Sequence, residues 1–360
     1  MTRFGKRDEL IVHEQEPFNA ETDRGSLISS VTATDAFYVR GHGAVPALDP
    51  DAWRLTVGGL VERELTLSLA TLREAFVERT LTATLQCAGN RREGLVKVRD
   101  IPGEAPWGPG ATGTATWTGV ALADVLALAG ARDGAAHVGF EGADVSPEAK
   151  PAQLYGGSVP LDKARRREVL LAWAMNGSPL PPVHGAPVRV VVPGYIGARS
   201  VKWLTRIEVR SEAWPGYFQN VVYRLLAPEQ TVGPGVGMPL GLVALNSDVL
   251  SPEDGAEVAA GPVEVRGYAF AGGDRHVARV DVSTNDGRSW SQAELLDDLG
   301  RWAWRHWRIV LELPPGEHRI AVRAWDSSAA TQPEDEAALW NPKGYVNNAR
   351  PHISVTALAR

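Results

Sequence analysis

Hydrophobic and polar positions change period along this chain, and the changes outline its elements. Trp53-Arg54-Leu55-Thr56-Val57 alternates with a period of two and predicts a strand. Leu67 to Phe76 and Leu122 to Ala129 carry apolar residues at helical spacing and predict short amphipathic helices. His137 to Phe140, Leu170 to Ala174 and Pro187 to Val192 predict further strands, several apolar enough to be buried on both faces. Up to about residue 240 this mixture predicts an α+β fold. The stretch 227–241, rich in Gly and Pro, predicts a linker. Beyond it the pattern is β alone. Val263 to Tyr268 alternates, Val280 to Ser283 runs into the hairpin signal Asn285-Asp286-Gly287, and Trp302 to Leu313, Ile320 to Trp325 and Ile353 to Leu358 follow. About seven short strands at this spacing predict a sandwich, with Trp302, Trp304 and Trp307 in its core or at its interface. The expected units are 1–240 and 241–360.

Composition narrows the function. A chain of 360 residues exceeds the size at which one core usually suffices, which agrees with two domains. A net charge of −6 argues against general nucleic-acid affinity. No run approaches the roughly 20 apolar residues needed to span a bilayer, and Met1 to Asn19 has no apolar signal core. One cysteine excludes an internal disulfide, so the expected compartment is the cytoplasm, or the periplasm if a leader has been removed. There is no Gly-x-Gly-x-x-Gly after a strand, no Walker lysine loop, no His-Glu-x-x-His and no Gly-x-Ser-x-Gly.

The chemistry collects around Cys87, in Thr84-Leu85-Gln86-Cys87-Ala88-Gly89-Asn90-Arg91-Arg92. An apolar β run ends in a thiol followed by glycine and two arginines, a setting that stabilises a thiolate and suits a thiophilic metal beside an oxyanion. On the local sequence, a small buried apolar cysteine is the alternative. Three more segments set cations beside glycine: Phe37-Tyr38-Val39-Arg40-Gly41-His42, His184-Gly185-Ala186-Pro187-Val188-Arg189, and Gly197-Ala198-Arg199-Ser200-Val201-Lys202-Trp203. Fixed charge with close backbone approach is what phosphate binding requires. Each arginine alone could instead pair with a surface carboxylate; four clusters in an acidic chain favour an anionic ligand.

Together these segments resemble the sulfite oxidase family of molybdenum enzymes, over nearly the whole chain. Phe140-Glu141-Gly142-Ala143-Asp144, Met175-Asn176-Gly177 and Trp340-Asn341-Pro342-Lys343-Gly344 extend the match. The resemblance implies a molybdopterin-binding domain followed by an immunoglobulin-like dimerisation domain. It implies that Cys87 gives a thiolate to molybdenum. Tyr38, Val39, Arg40, Gly41, His42, Asp144, His184, Arg189, Ser200, Val201 and Lys202 match positions that hold the pterin and its phosphate. Arg40, Arg92, Trp107, Tyr223 and Lys343 match the substrate pocket, with Tyr155 as a rival tyrosine. Lys343 replaces an arginine of animal members, keeping the charge and losing the rigid fork. The implied reaction is molybdenum-dependent oxidation of sulfite to sulfate by oxygen-atom transfer in a homodimer. No haem is expected in this chain, and electrons would pass to a separate acceptor such as a c-type cytochrome. Nitrate reduction or sulfane-sulfur oxidation at the same centre is the alternative. A non-catalytic β-sandwich binding protein is the remaining one.

Overall fold

Two sheets that share one core set the position of Cys87. A computed structural model describes residues 3–359. The first sheet runs Ser178–Pro179, Leu170–Met175, Thr112–Ala121, Glu78–Gln86, with Arg189–Val191 also paired to Leu170–Met175. The Glu78–Gln86 and Thr112–Ala121 strands pair antiparallel from Glu78↔Val120 to Gln86↔Thr112. The second sheet runs Leu65–Leu67, Leu55–Gly59, Leu204–Arg210, His137–Ser146, Gln153–Pro160. Its Leu204–Arg210 and Leu55–Gly59 strands are parallel, the other neighbours antiparallel. Val57, Phe140 and Ile207 from the second sheet share one core with Val120, Leu171 and Val190 from the first.

Local chemistry explains the helices. Ser68 caps Leu69–Ala75, its hydroxyl accepting from the Thr71 N–H. In Leu122–Ala129 the residues Leu122, Val125, Leu126 and Ala129 are buried, one face at 3.6 spacing, and Gly130 ends the helix at φ +71°. Most strands differ from their expected bounds by one to four residues, and two of the departures are instructive. Trp53 lies before its strand, which begins at Leu55, because its indole donates to the Leu204 carbonyl at 2.8 Å. The strand expected over 137–140 extends to Ser146; Gly139 and Gly142 mask its alternation, and a Cβ at Gly139 would strike Trp214.

The stretch expected to be a linker is tied down. Met238–Pro239 pairs with Arg224–Leu225, and the Arg224 guanidinium donates to the carbonyls of Gly235, Val236 and Gly237 at 2.9, 2.6 and 2.6 Å. Beyond it, a four-stranded sheet (Asn246–Ser251, Gly261–Phe270, Arg305–Leu313, Glu294–Leu295) faces a five-stranded one (Ala256–Ala259, His352–Leu358, Gly316–Asp326, Val277–Ser283, Ser291–Gln292). Val265, Val282, Trp307, Ile320 and Val355 fill the space between them. The molecule is thus an α+β domain followed by an all-β sandwich.

The three tryptophans divide between core and interface. Trp307 lies inside the sandwich, whereas Trp304 belongs to the core of the first unit and Trp302 packs in the cluster around Cys87. The Thr84 N–H donates to the Trp302 carbonyl at 2.9 Å and the Trp304 N–H to the Thr84 hydroxyl at 2.8 Å. The sandwich therefore grips the strand three residues before Cys87. Among the described residues, no helix is long and apolar enough to cross a membrane.

Candidate active site

Cys87 leaves the Glu78–Gln86 strand with its N–H still bonded to the Ala111 carbonyl, at 2.9 Å. The chain then turns sharply. Asn90 N–H returns to the Cys87 carbonyl at 3.1 Å, Arg91 takes φ +62°, and Arg92–Val98 forms a short helix. The Gly89 N–H points at the sulfur, 3.4 Å away, where it would stabilise negative charge. A Cβ at Gly89 would lie 2.6 Å from the Arg92 guanidinium, so only glycine lets that cation fold back over the turn. The thiol is buried yet not sealed in aliphatic packing: it lines two cavities, which also share Arg40 and Tyr223.

The first cavity gathers Tyr38, Val39, Arg40, Gly41, His42, Asp144, His184, Arg189, Ser200 and Lys202 from four separate segments of the chain. Val201, expected with them, does not face it. Its side chain packs into the core and its carbonyl accepts from the Val190 N–H at 2.8 Å, because alternate residues of an extended segment point to opposite sides. Burial governs the electrostatics. Lys202 is pushed down to about 7 by burial and by Arg189, and Asp144 is raised to about 6 by burial, with Lys202 opposing. Burial lowers Arg189 to about 10. The Lys202 ammonium donates to the Val183 carbonyl at 3.1 Å, and Arg189 to the His184 and Ser200 carbonyls at 3.1 and 2.9 Å. Neither cation has a carboxylate in ion-pair contact among the described residues, and Asp144 Oδ1 is buried without a hydrogen-bond partner. Buried cations without counter-ions and an orphaned acceptor fit a phosphate-bearing ligand with N–H donors. No cluster of three His, Cys, Asp or Glu exists among the described residues. A lone thiolate suits a metal that brings most of its own ligands, as a dithiolene cofactor does.

The second cavity is lined by Arg40, Cys87, Arg92, Trp107 and Tyr223 among others. Lys343 is the exception among the expected pocket residues. It stands behind the wall, its ammonium ion-paired with Glu104, and Glu104 lines the cavity in its place. The cations here are matched by acids that sequence reading missed. Glu104 Oε2 is 3.3 Å from Arg92 Nη2, and Glu148 Oε1 is 3.9 Å from Arg40. Neither acid lies in a motif, so the sequence carries no signal for them. His42 links the cavities. Burial and Arg40 drive it down to about 4, so it is neutral; Nδ1–H donates to Glu148 at 2.7 Å, leaving Nε2 to accept from the Tyr223 hydroxyl at 2.7 Å. Burial pushes the Tyr223 phenol upward, keeping it protonated. Tyr155 lines the first cavity, its ring stacked on His42 with centroids 5.3 Å apart, and it donates to the Ala198 carbonyl at 2.8 Å. Of the two rival tyrosines, Tyr223 is the one that reaches both cavities.

Comparison with known proteins agrees with this arrangement. Residues 42–218 match the oxidoreductase molybdopterin binding domain, and residues 242–357 the Mo-co oxidoreductase dimerisation domain. The chain is 43% identical to sulfite oxidase of Gallus gallus over 94% of its own length and 76% of that protein. It is 38% identical to sulfite oxidase of Arabidopsis thaliana, covering 94% of this chain and 92% of that one. Against mitochondrial sulfite oxidase of Mus musculus it is 42% identical over 96% of its length, spanning 66% of the relative. The structure of the sulfane dehydrogenase SoxCD from Paracoccus pantotrophus superposes with a TM-score of 0.81 at 26% identity, over 94% of this chain and 84% of that one. The chain therefore belongs to the sulfite oxidase family of molybdopterin-dependent oxidoreductases.

Proposed function

We propose that this chain oxidises sulfite to sulfate at a molybdenum–molybdopterin centre held between the two cavities. The observation that carries the reading is the position of Cys87, at the junction of a phosphate-type cavity and an oxyanion-type cavity that share Arg40 and Tyr223. Bound molybdenum cofactor supplies two-electron oxygen-atom transfer. The chain supplies the rest. In the first cavity, Asp144 accepts from pterin N–H groups, while Lys202, Arg189, His184 and Ser200 surround the phosphate. Tyr38, Val39, Gly41 and His42 close the pterin side. In the second, Arg40 and Arg92 orient the oxyanion and offset its charge, with Lys343 behind them. Trp107 forms a wall. Tyr223, held by the His42–Glu148 pair, keeps its hydroxyl oxygen at the reacting edge.

The net change is sulfite plus water to sulfate, two protons and two electrons. The electrons leave to a separate acceptor, for which a c-type cytochrome is the expected class. We take the molybdopterin-binding unit as residues 1–240 and the dimerisation unit as 241–360. The glycine- and proline-rich stretch at 227–241 and the separate apolar core drawn from residues 245–357 support that division. The match of 242–357 to a dimerisation domain supports a homodimer joined through the sandwich. A single cysteine places no demand for an oxidising compartment and agrees with the cytoplasm; export after loss of a leader gives the periplasm.

The test is a chain reconstituted with the molybdenum cofactor and assayed for sulfite-dependent reduction of an artificial acceptor. Nitrate and a thiosulfate-derived sulfane adduct run beside it. Turnover on sulfite above the other two supports the reading. A metal-replete sample inert to sulfite overturns it.

A further inference from the structure

Three backbone carbonyls and an aromatic ring hold two of the three nitrogens of Arg92. Its Nε donates to the carbonyls of Lys343 and Gly344 at 3.0 and 3.3 Å, its Nη1 to the Ala105 carbonyl at 2.8 Å, and its guanidinium lies 5.2 Å over the Tyr345 ring. Only Nη2 remains to face the cavity, and Glu104 Oε2 covers it at 3.3 Å. The other oxygen of the same carboxylate sits on the Lys343 ammonium. A carboxylate presents two oxygens on one carbon much as a sulfur oxyanion presents two on one sulfur, and it meets the same cations. The side chain is 16% exposed, within a cavity wall rather than a sealed core. It stands on an irregular loop next to Gly103, which takes φ +81° with open space where a Cβ would be.

We propose that Glu104 is a built-in competitor at the anion seat: its carboxylate occupies Arg92 and Lys343 until a substrate oxyanion displaces it, so it sets anion affinity and speeds release of the sulfate product. This rests on the sulfite reading for the identity of the anion. A bound dianion and the Glu104 carboxylate repel one another, so both cannot hold Nη2. Displacement lowers the net affinity for every anion that uses the seat by the same factor. Sulfate would otherwise be retained by the fixed cations that bind sulfite.

Glu104→Gln keeps the shape and removes the charge. The measurement is the dissociation constant of sulfate for the cofactor-loaded enzyme by calorimetry, beside KM and kcat for sulfite. The expected result is sulfate binding tighter by about tenfold, the worth of one partly buried charged contact. KM for sulfite should fall in parallel, and product inhibition should deepen. Glu104→Asp, which keeps the charge, should stay nearer to the parent. Unchanged or weaker sulfate binding in Glu104→Gln overturns the proposal, for then the acid merely positions Lys343. Glu104→Ala is read the same way should the glutamine variant fail to fold. Tighter sulfate binding in an enzyme that leaves sulfite untouched sinks the substrate reading and keeps the competitor. Sulfite turnover with sulfate binding insensitive to residue 104 sinks the competitor alone.

Discussion

The two cavities that meet at Cys87 treat positive charge in opposite ways. In the first, buried Arg189 and half-buried Lys202 donate to carbonyls and make no ion pair, burial depresses both, and Asp144 acts on Lys202 from a distance. In the second, Arg92 and Lys343 lie on Glu104, and Arg40 lies near Glu148. An unpaired buried cation is a standing cost that only a resident anion removes. A paired cation is comfortable alone and yields to a competing anion when one arrives. The first arrangement suits a ligand bound once and kept; the second suits a ligand exchanged at every turnover. Cys87 lines both, which is the position the proposed link between a resident cofactor and a passing substrate requires.

The largest effect that would break this division is at the shared residue. Cys87→Ser is nearly isosteric, so the fold should survive, with its circular dichroism and unfolding midpoint close to the parent's. Turnover should drop by about three orders of magnitude or more. Activity near that of the parent in metal-replete protein would remove Cys87 from the chemistry. Next comes the unpaired side. Lys202→Met should reduce pterin and molybdenum content by about tenfold, through loss of a charge-assisted contact to phosphate. The same change should move the stability of the cofactor-free chain against urea by no more than about 1 kcal/mol, because relief from a desolvated cation is offset by the loss of the positive neighbour that favours Asp144 ionisation. Full cofactor content in that variant would contradict a phosphate site there.

The bridge between the cavities gives a pH signature. In the unfolded chain a histidine takes a proton near pH 6.5, whereas buried His42 resists it down to about 4. Between those values the unfolded chain binds more protons, so stability falls as pH drops. The loss is about 3 kcal/mol if His42 acts alone, and it is complete below pH 4. Burial opposes ionisation of Glu148, but the His42 hydrogen bond and Arg40 outweigh it and hold its pKa below the usual carboxylate range. Its stabilising share is likewise lost as pH falls. Urea unfolding of the cofactor-free chain from pH 7 to 4 should show this slope, and His42→Asn should flatten it. An unchanged slope would place His42 outside a neutral, buried bridge.

Period and motif made the first cavity legible and left half of the second hidden. Leu122–Ala129 was readable because its burial follows one helical face, and the Cys87 turn because strand, thiol and glycine are contiguous. Most residues named for the first cavity come from segments where glycine and cations lie side by side, so sequence neighbours are also neighbours in space. The Val201 side chain points to the core and not into the cavity, a direction that contiguity along an extended segment does not reveal. Glu104, Glu148 and Tyr345 were invisible for a different reason. Each reaches the cavity from a distant loop, and an isolated glutamate in a loop has the same pattern as a solvated one. The stretch 227–241 reads as a linker because composition cannot reveal that Arg224 gathers three of its carbonyls.

The smallest predicted effect uses two adjacent arginines that sequence alone could not tell apart. Arg92 turns into the cavity, but Arg91 turns away into the sandwich, donating to the Ala349 carbonyl at 2.7 Å and the Ser247 carbonyl at 3.4 Å. Its own carbonyl accepts from Asn347 at 2.8 Å. The residue sits at φ +62°, and methionine would bear the same backbone strain there, so Arg91→Met isolates the side chain. Two buried carbonyls would lose a charged donor, at a cost of about 2 kcal/mol. The unfolding midpoint should drop by about 2–4 °C. KM for the oxyanion should stay within about twofold, since a factor of two is well under 1 kcal/mol and no cavity contact changes. A large rise in KM from Arg91→Met would mean that the grip of the sandwich on the Cys87 turn, and not the local wall alone, shapes the anion seat.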